Sequence, residues 1–240
     1  MKVLVIGGMH GNEPLGPAVV ALFQKNPINN VDALLANQQA IDQNCRFIEQ
    51  DLNRSFPGDS NGVNYESKRA AELLVLTEQY DLVLDFHNTH CPDNDCGFVG
   101  DDAPRLLYDQ TRLLGLDRII VADYDCINKY ASNCVSIEIS LDSQLNQADI
   151  WYERIRQLAQ RRQIDTQSDV TTYRFVYRMT LEDKVKYRLD QQDLRAFQPM
   201  PATLARRLGV TTPAYPIFIG DEYTPYNYGG VLNEIEKTKT

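Results

Sequence analysis

No apolar run in this sequence approaches the roughly 20 residues that a membrane-spanning helix needs, which argues for a soluble protein. The N-terminus enters Lys2-Val3-Leu4-Val5-Ile6-Gly7 at once, too short an apolar stretch for a signal peptide and with no small-residue cleavage site behind it. A cytoplasmic location is therefore expected. Cysteine is sparse and odd in number, with five residues at positions 45, 91, 96, 126 and 134. Scattered thiols of this kind fit a reduced protein better than a disulfide framework. Cys91 and Cys96 lie near each other, but no second Cys/His pair accompanies them at zinc-finger spacing, so no structural metal is expected there. Positive charge is also short: 24 Lys and Arg against 33 Asp and Glu give a net charge of −9. A chain without a basic excess is poorly suited to nucleic acid. Any anionic ligand must then be held by local arginines rather than drawn in by the global field.

What is present is a globular composition, 43% hydrophobic and 24% charged, over 240 residues, enough for one large domain or one domain with a smaller appendage. The first two-thirds alternates strand-like and helical patterns. Val3–Ile6, Val31–Ala36, Leu82–Phe86, Ile119–Ala122 and Cys134–Ser140 read as strands. Leu15–Gln24, Tyr65–Gln79, Pro104–Leu114 and Gln147–Arg162 read as helices; Ala70, Leu73, Leu74 and Leu76 form the apolar stripe of the second. Such alternation implies an α/β sheet covered on both faces. From about residue 165 the pattern becomes β-rich. Val170–Met179, Val185–Leu189 and Ala214–Ile219 read as strands, Thr203–Leu208 as a short helix, and Asn227-Tyr228-Gly229-Gly230 as a turn. Neither an internal repeat nor a low-complexity tract is visible.

Histidine is the third scarcity, with three in the chain, and one of them lies in Met9-His10-Gly11-Asn12-Glu13-Pro14 just past the first strand. In open α/β sheets ligands gather beyond the carboxyl ends of the strands. His10 and His87 both fall at such ends, and Glu13, three residues after His10, enters a helix on the same side. Two imidazoles and a carboxylate are the ligand set of a catalytic zinc, with a fourth position left for water. The residues alone leave a plainer reading open, with His10 a loop residue, Glu13 an acid at a helix N-terminus and His87 bonded to backbone. His90 reads as a rim residue. Gly7-Gly8-Met9-His10-Gly11 has neither the spacing of a dinucleotide site nor the Gly-Lys-Ser/Thr end of a P-loop.

Glu138 lies in the strand Cys134-Val135-Ser136-Ile137-Glu138-Ile139-Ser140, an ionisable group among apolar neighbours. A carboxylate buried there must be paired or face a cavity, and its pKa would rise toward that of a base working near neutrality. The same alternation would also suit an edge strand with Glu138 facing water. Asn53 and Arg54, in Asp51-Leu52-Asn53-Arg54, are able to hold a carboxylate, and Arg46 is a second cation nearby. A solvated loop cluster is the alternative.

Together these residues resemble the aspartoacylase/succinylglutamate desuccinylase family, relatives of the zinc carboxypeptidases. The matching blocks are Gly7-Gly8-Met9-His10-Gly11-Asn12-Glu13, Asn44 to Pro57, Leu84 to His90, Val135-Ser136-Ile137-Glu138 and Ala214 to Ile219. The resemblance implies a carboxypeptidase-like mixed α/β sheet flanked by helices in residues 1–164. It implies a small C-terminal β-rich domain in residues 165–240, partly covering the active site. It further implies one zinc per chain at His10, Glu13 and His87, with Glu138 as general base and acid and Arg46 polarising the scissile carbonyl. Asn53, Arg54 and Tyr223 would bind substrate.

The function implied is zinc-dependent hydrolysis of the amide bond of an N-acyl amino acid, with N-acylated aspartate or glutamate as leading substrate. Desuccinylase-like or carboxypeptidase-like hydrolysis is the near alternative. A catalytically silent metal-binding module of the same fold is the alternative from another class. The expected partner is a small molecule, not nucleic acid or membrane, with a homo-oligomer left open. Three departures stand out. Asn37-Gln38-Gln39-Ala40 replaces a frequent Asn-Pro-Arg-Ala, and Ser140-Leu141-Asp142-Ser143 replaces the Gly-Pro segment that follows the base in aspartoacylases. No arginine near Asn128-Lys129-Tyr130 matches one that aspartoacylases carry ahead of that strand. The last two bear on the acyl group and amino acid accepted, not on the metal chemistry.

Overall fold

A computed structural model describes residues 1–160, 169–220 and 227–238. In chain order, β1 (Val3–Gly7), α1 (Leu15–Lys25), β2 (Val31–Leu35) and α2 (Gln38–Asp42) open the fold. They are followed by α3 (Tyr65–Thr77), β3 (Leu82–Thr89), β4 (Cys96–Val99), α4 (Arg105–Leu113) and β5 (Arg118–Val121). Next come α5 (Ile127–Tyr130), β6 (Cys134–Ser140) and α6 (Ala148–Ala159). The last part contributes β7 (Val170–Thr180), α7 (Leu181–Tyr187), α8 (Ala202–Arg207), β8 (Tyr215–Ile217) and β9 (Asn227–Thr238).

Among the described residues, all the strands join one mixed sheet in the order β2-β1-β3-β6-β4-β5-β7-β9-β8. The strands β2, β1, β3 and β6 run parallel, whereas β4 is antiparallel to β6, and β9 is antiparallel to both β7 and β8. β1 and β3 are buried at every position, as strands covered on both faces must be. Alternate residues serve opposite layers: Val3, Val5, Leu84 and Phe86 pack with Trp151 of α6, and Leu4, Ile6 and Val83 pack with Leu73 of α3. The last segment has its own cluster around Met179, Leu204 and Val231. A further cluster, in which Phe98 and Ile120 meet Tyr173, Ile217 and Leu232, ties that segment to the rest. The expected boundary at 164/165 lies outside the described residues, and the strands beyond it continue the same sheet.

Glycine sets how closely α1 approaches the sheet. A Cβ on Gly7 would lie 2.3 Å from the carbonyl carbon of Gly16, and one on Gly16 would lie 2.8 Å from the Cα of Gly7. Backbone therefore meets backbone, and the turn before α1 sits directly over the end of β1. The Asn88 side chain, from β3, accepts from the Leu15 N–H at 2.9 Å and satisfies the start of α1 that Pro14 cannot cap.

Several expectations are corrected. Val185–Leu189 is not a strand: Leu181–Tyr187 is helical because Thr180 and Asp183 form a reciprocal capping box, and the alternation of Val185 and Tyr187 is an accident of a short helix. Asn227–Gly230 is not a turn but the start of β9, where Gly229 and Gly230 admit close neighbours across the sheet. β3 continues to Thr89, so His87 lies within the strand rather than after it. β4 and the short helices α2 and α5 had not been read. None of the described helices is long and apolar enough to cross a membrane.

Candidate active site

Parallel pairing aligns Gly7 with Phe86 and His87 with Glu138. The turn after β1 carries His10 and Glu13 over the same sheet edge, and these side chains meet. His10 and His87 are each 3% exposed and Glu13 is 8% exposed, with ligand atoms of all three within 4.8 Å of one another. The His10 Nδ1 lies 2.7 Å from the Glu13 Oε1, the His87 Nδ1 lies 3.0 Å from the Glu13 Oε2, and the two Nδ1 atoms are 3.3 Å apart. Glu13 also accepts from the Asn88 N–H at 3.2 Å.

Each imidazole turns Nδ1 inward and has its Nε2 held by a further carboxylate. The His10 Nε2 is 3.1 Å from the Asp51 Oδ1, and the His87 Nε2 is 2.8 Å from the Asp85 Oδ2. Carboxylates in this position set the tautomer and orientation of a metal-ligating histidine. Sequence reading gave neither aspartate a role. Asp85 carried a signal, because residues two apart on a strand share a face. Asp51 carried none beyond its place beside Asn53 and Arg54.

The electrostatics favour a cation at the convergence point. Burial alone would push both imidazoles toward their neutral forms. Glu13 and Asp51 around His10, and Asp85 and Glu13 around His87, instead raise both above the ordinary 6.5. Burial would raise the carboxyls of Glu13 and Asp51, but His10 with His87 around the first, and His10 with Arg46 around the second, hold them well below the usual carboxylate range. Two inward nitrogens and one carboxylate, backed by two further carboxylates, fit a divalent metal with three protein ligands. The donor set therefore fits zinc.

Glu138 is half-buried in the same cleft. β6 lies between β3 and β4, which excludes the edge-strand reading. Its polar side is an internal network: Ser136 donates to the Asp85 Oδ2 at 3.2 Å, and Ser140 donates to the Cys91 carbonyl at 2.9 Å. Burial lifts the Glu138 carboxyl to about 8, with the Glu13 charge adding to the rise and the histidines opposing it.

The cleft is lined by Arg46, Asn53, Arg54 and Glu138 together with Phe175, Arg178, Phe218 and Asn227 from the last segment. Arg46 contacts Glu13 at 3.4 Å and Asp51 at 3.2 Å. Asn53 is buried, and its Oδ1 has no hydrogen-bond partner among the described residues. Arg54 is exposed and donates to the Asn53 and Asp125 carbonyls. The loop bearing these residues is pinned by a group that sequence reading passed over, the buried Glu66 of α3. Its carboxylate accepts from the Ile48, Glu49 and Gln50 N–H groups at 2.6, 3.2 and 3.4 Å and from the Asn37 amide at 3.2 Å. His90 is exposed and does not line the cleft. Tyr223 lies outside the described residues.

The fold and the cluster together define a class: a carboxypeptidase-like mixed α/β sheet with a buried histidine–glutamate–histidine site at its strand ends. Residues 1–94 match the succinylglutamate desuccinylase/aspartoacylase catalytic domain. The chain is 35% identical over 104 residues to an N-acyl-aromatic-L-amino acid amidohydrolase (carboxylate-forming) of Xenopus laevis, covering 37% of this chain and 34% of the relative. It is 33% identical over 106 residues to aspartoacylase of Mus musculus, with the same coverage of 37% and 34%. The chain thus spans about a third of the length of the curated relatives it matches. Succinylglutamate desuccinylase from Chromobacterium violaceum has a similar structure, with TM-score 0.73 at 19% identity over 98% of this chain and 85% of that chain. Murine aminoacylase 3 has TM-score 0.70 at 20% identity over 100% of this chain and 97% of that chain. At these identities the structural likeness shows the fold.

Proposed function

We propose that this protein is a zinc-dependent hydrolase that cleaves the amide bond of an N-acyl amino acid, with N-acylated aspartate or glutamate as its leading substrate. The observation that carries the reading is the convergence of His10, Glu13 and His87 on one point, with Glu138 beside His87 in register and facing the same cleft. His10, Glu13 and His87 would hold the metal, which supplies Lewis acidity toward the scissile carbonyl and acidifies water.

Glu138 takes the proton of the attacking water and delivers it to the departing amine nitrogen. Burial raises the Glu138 carboxyl above the ordinary carboxylate range, which strengthens its conjugate base for accepting that proton. Arg46, at the edge of the cluster, donates to the carbonyl oxygen as charge develops there; loss of one such donor costs on the order of 10²–10³ in rate. Arg54 and Asn53 take a substrate carboxylate, which orients the amide over the catalytic groups. In this reading the residues after 165 partly cover the site, and the protein acts in the cytoplasm on a small molecule.

The test is metal content together with amine release from N-acetyl-aspartate, N-succinyl-glutamate and neutral N-acetyl amino acids. About one zinc per chain is expected, with release from an acidic substrate that a chelator abolishes and zinc restores. A zinc-loaded protein that releases amine from none of these substrates refutes the hydrolase reading.

A further inference from the structure

Among the described residues, three guanidinium groups line the cleft, those of Arg46, Arg54 and Arg178. Arg46 is paired with Glu13 and Asp51. No carboxylate of the described residues lies within ion-pair distance of Arg54 or Arg178. Arg54 donates to backbone carbonyls, and both guanidiniums lie at the Tyr124 ring, 5.0 and 5.8 Å from its centroid. Tyr124 is itself held edge-on by Phe98 and Phe175, with centroids at 6.3 and 5.7 Å. Two cations drawn to one ring in an acidic protein, neither with a counter-charge among the described residues, form a receptor for two anionic groups.

Arg178 reaches the cleft through an irregularity in β7. Phe175 pairs with Leu232 and Tyr177 with Val231, so two steps along β7 match one along β9 and Val176 is the extra residue. In an unbroken strand, residues 175 and 178 would face opposite sides of the sheet. The single-residue bulge between them returns them to the same side, and both line the cleft. Gly230, opposite Arg178 in register, leaves room for this arrangement: a Cβ there would meet the Phe175 ring at 2.5 Å.

We propose that Arg178 is a specificity-determining residue that pairs with a second carboxylate of the substrate while Arg54 holds the first. The site then prefers N-acyl amino acids bearing two carboxylates. The inference rests on the proposed N-acyl amino acid reading for the kind of molecule bound. The second carboxylate belongs either to the amino acid or to the acyl group, and the two sources are separable by experiment.

The experiment is calorimetric titration of the zinc-loaded Glu138→Gln protein, which removes turnover from the measurement, with three probes. N-acetyl-alanine carries one carboxylate, N-acetyl-aspartate two on the amino acid, and N-succinyl-alanine one on each part. At least one two-carboxylate probe is expected to bind on the order of 10- to 100-fold more tightly than N-acetyl-alanine, the range for a hydrogen bond to a charged group. Which probe it is names the source. Adding Arg178→Gln should abolish that preference while leaving N-acetyl-alanine binding in place, which also shows that the cleft is intact. Arg178→Lys should keep part of the preference, and Arg54→Gln should weaken all three. Absence of binding by any probe, absence of a preference, or a preference that survives Arg178→Gln overturns the proposal. Failure of the unaltered protein to hydrolyse these compounds bears on the reaction alone, because binding is read without turnover.

Discussion

Replacing Asp85 by asparagine changes one charge and almost no volume, yet it removes the group that orients His87. Asp85 is fully buried, and its Oδ2 accepts from the His87 Nε2 at 2.8 Å and from the Ser136 hydroxyl at 3.2 Å; its Oδ1 has no partner among the described residues. An asparagine that turns its oxygen to His87 buries an NH₂ where the unpartnered oxygen lay. Turned the other way, it sets a donor against the His87 N–H. Neither orientation restores a carboxylate behind the imidazole, so the ring loses basicity and rigidity as a ligand. Loss of such a partner typically costs 10- to 100-fold in metal affinity, or about 1.4–2.8 kcal/mol. Competition with a chromogenic chelator measures the zinc dissociation constant, and thermal unfolding of the metal-free protein checks that the fold persists. Ser136→Ala, which removes only the weaker contact, should fall between wild type and Asp85→Asn. A folded Asp85→Asn protein that binds zinc within about twofold of wild type would refute the reasoning, since the expected loss is tenfold or more.

Glu138→Gln should keep its zinc and lose most turnover; full activity in that variant removes Glu138 from the mechanism. The same variant gives a pH signature in the metal-free protein. Burial lifts the Glu138 carboxyl from an ordinary 4.5 to about 8, so the unfolded chain loses its proton first and the fold loses stability as pH rises through that window. Thermal midpoints of Glu138→Gln should therefore exceed wild type by a margin that grows from pH 4.5 to about 8, and a constant margin would contradict the shift. Glu66→Ala strands four donors that now share one buried carboxylate, with an expected stability loss above about 3 kcal/mol by urea denaturation. Because the same loop carries Asp51, Asn53 and Arg54, KM should rise along with it. A loss below about 1 kcal/mol would mean that water replaces the carboxylate.

Residues close in sequence and regular in pattern were legible beforehand. The apolar runs of β1, β3 and β6 mark a covered sheet because only strands buried on both faces are so uniformly apolar. His10, Glu13 and His87 were found because strand ends collect ligands and because the chain has so few histidines. Asp85 was readable by strand period but overlooked. Asp51, Glu66 and Arg178 were not readable, since each acts on a partner brought near by topology. Pattern misled at Val185–Leu189, where a capping box outweighs three residues of alternation. It misled again at Asn227–Gly230, where glycines that usually mark a turn instead admit a ring and a neighbouring strand.

The sequence by itself determined the alternation of strands and helices, the scarcity of positive charge that obliges local arginines to hold an anion, and the three side chains able to bind a metal. These follow from side-chain chemistry and from periods of two and 3.6 residues, which act over a few positions at a time. Tertiary structure alone decided that β6 is central rather than at an edge, so that Glu138 faces a cleft instead of water. It also decided which carboxylate stands behind each histidine, and that a bulge at Val176 turns Arg178 inward. Those outcomes depend on register between strands distant in sequence, and a shift of one residue in register moves a side chain to the opposite face of the sheet.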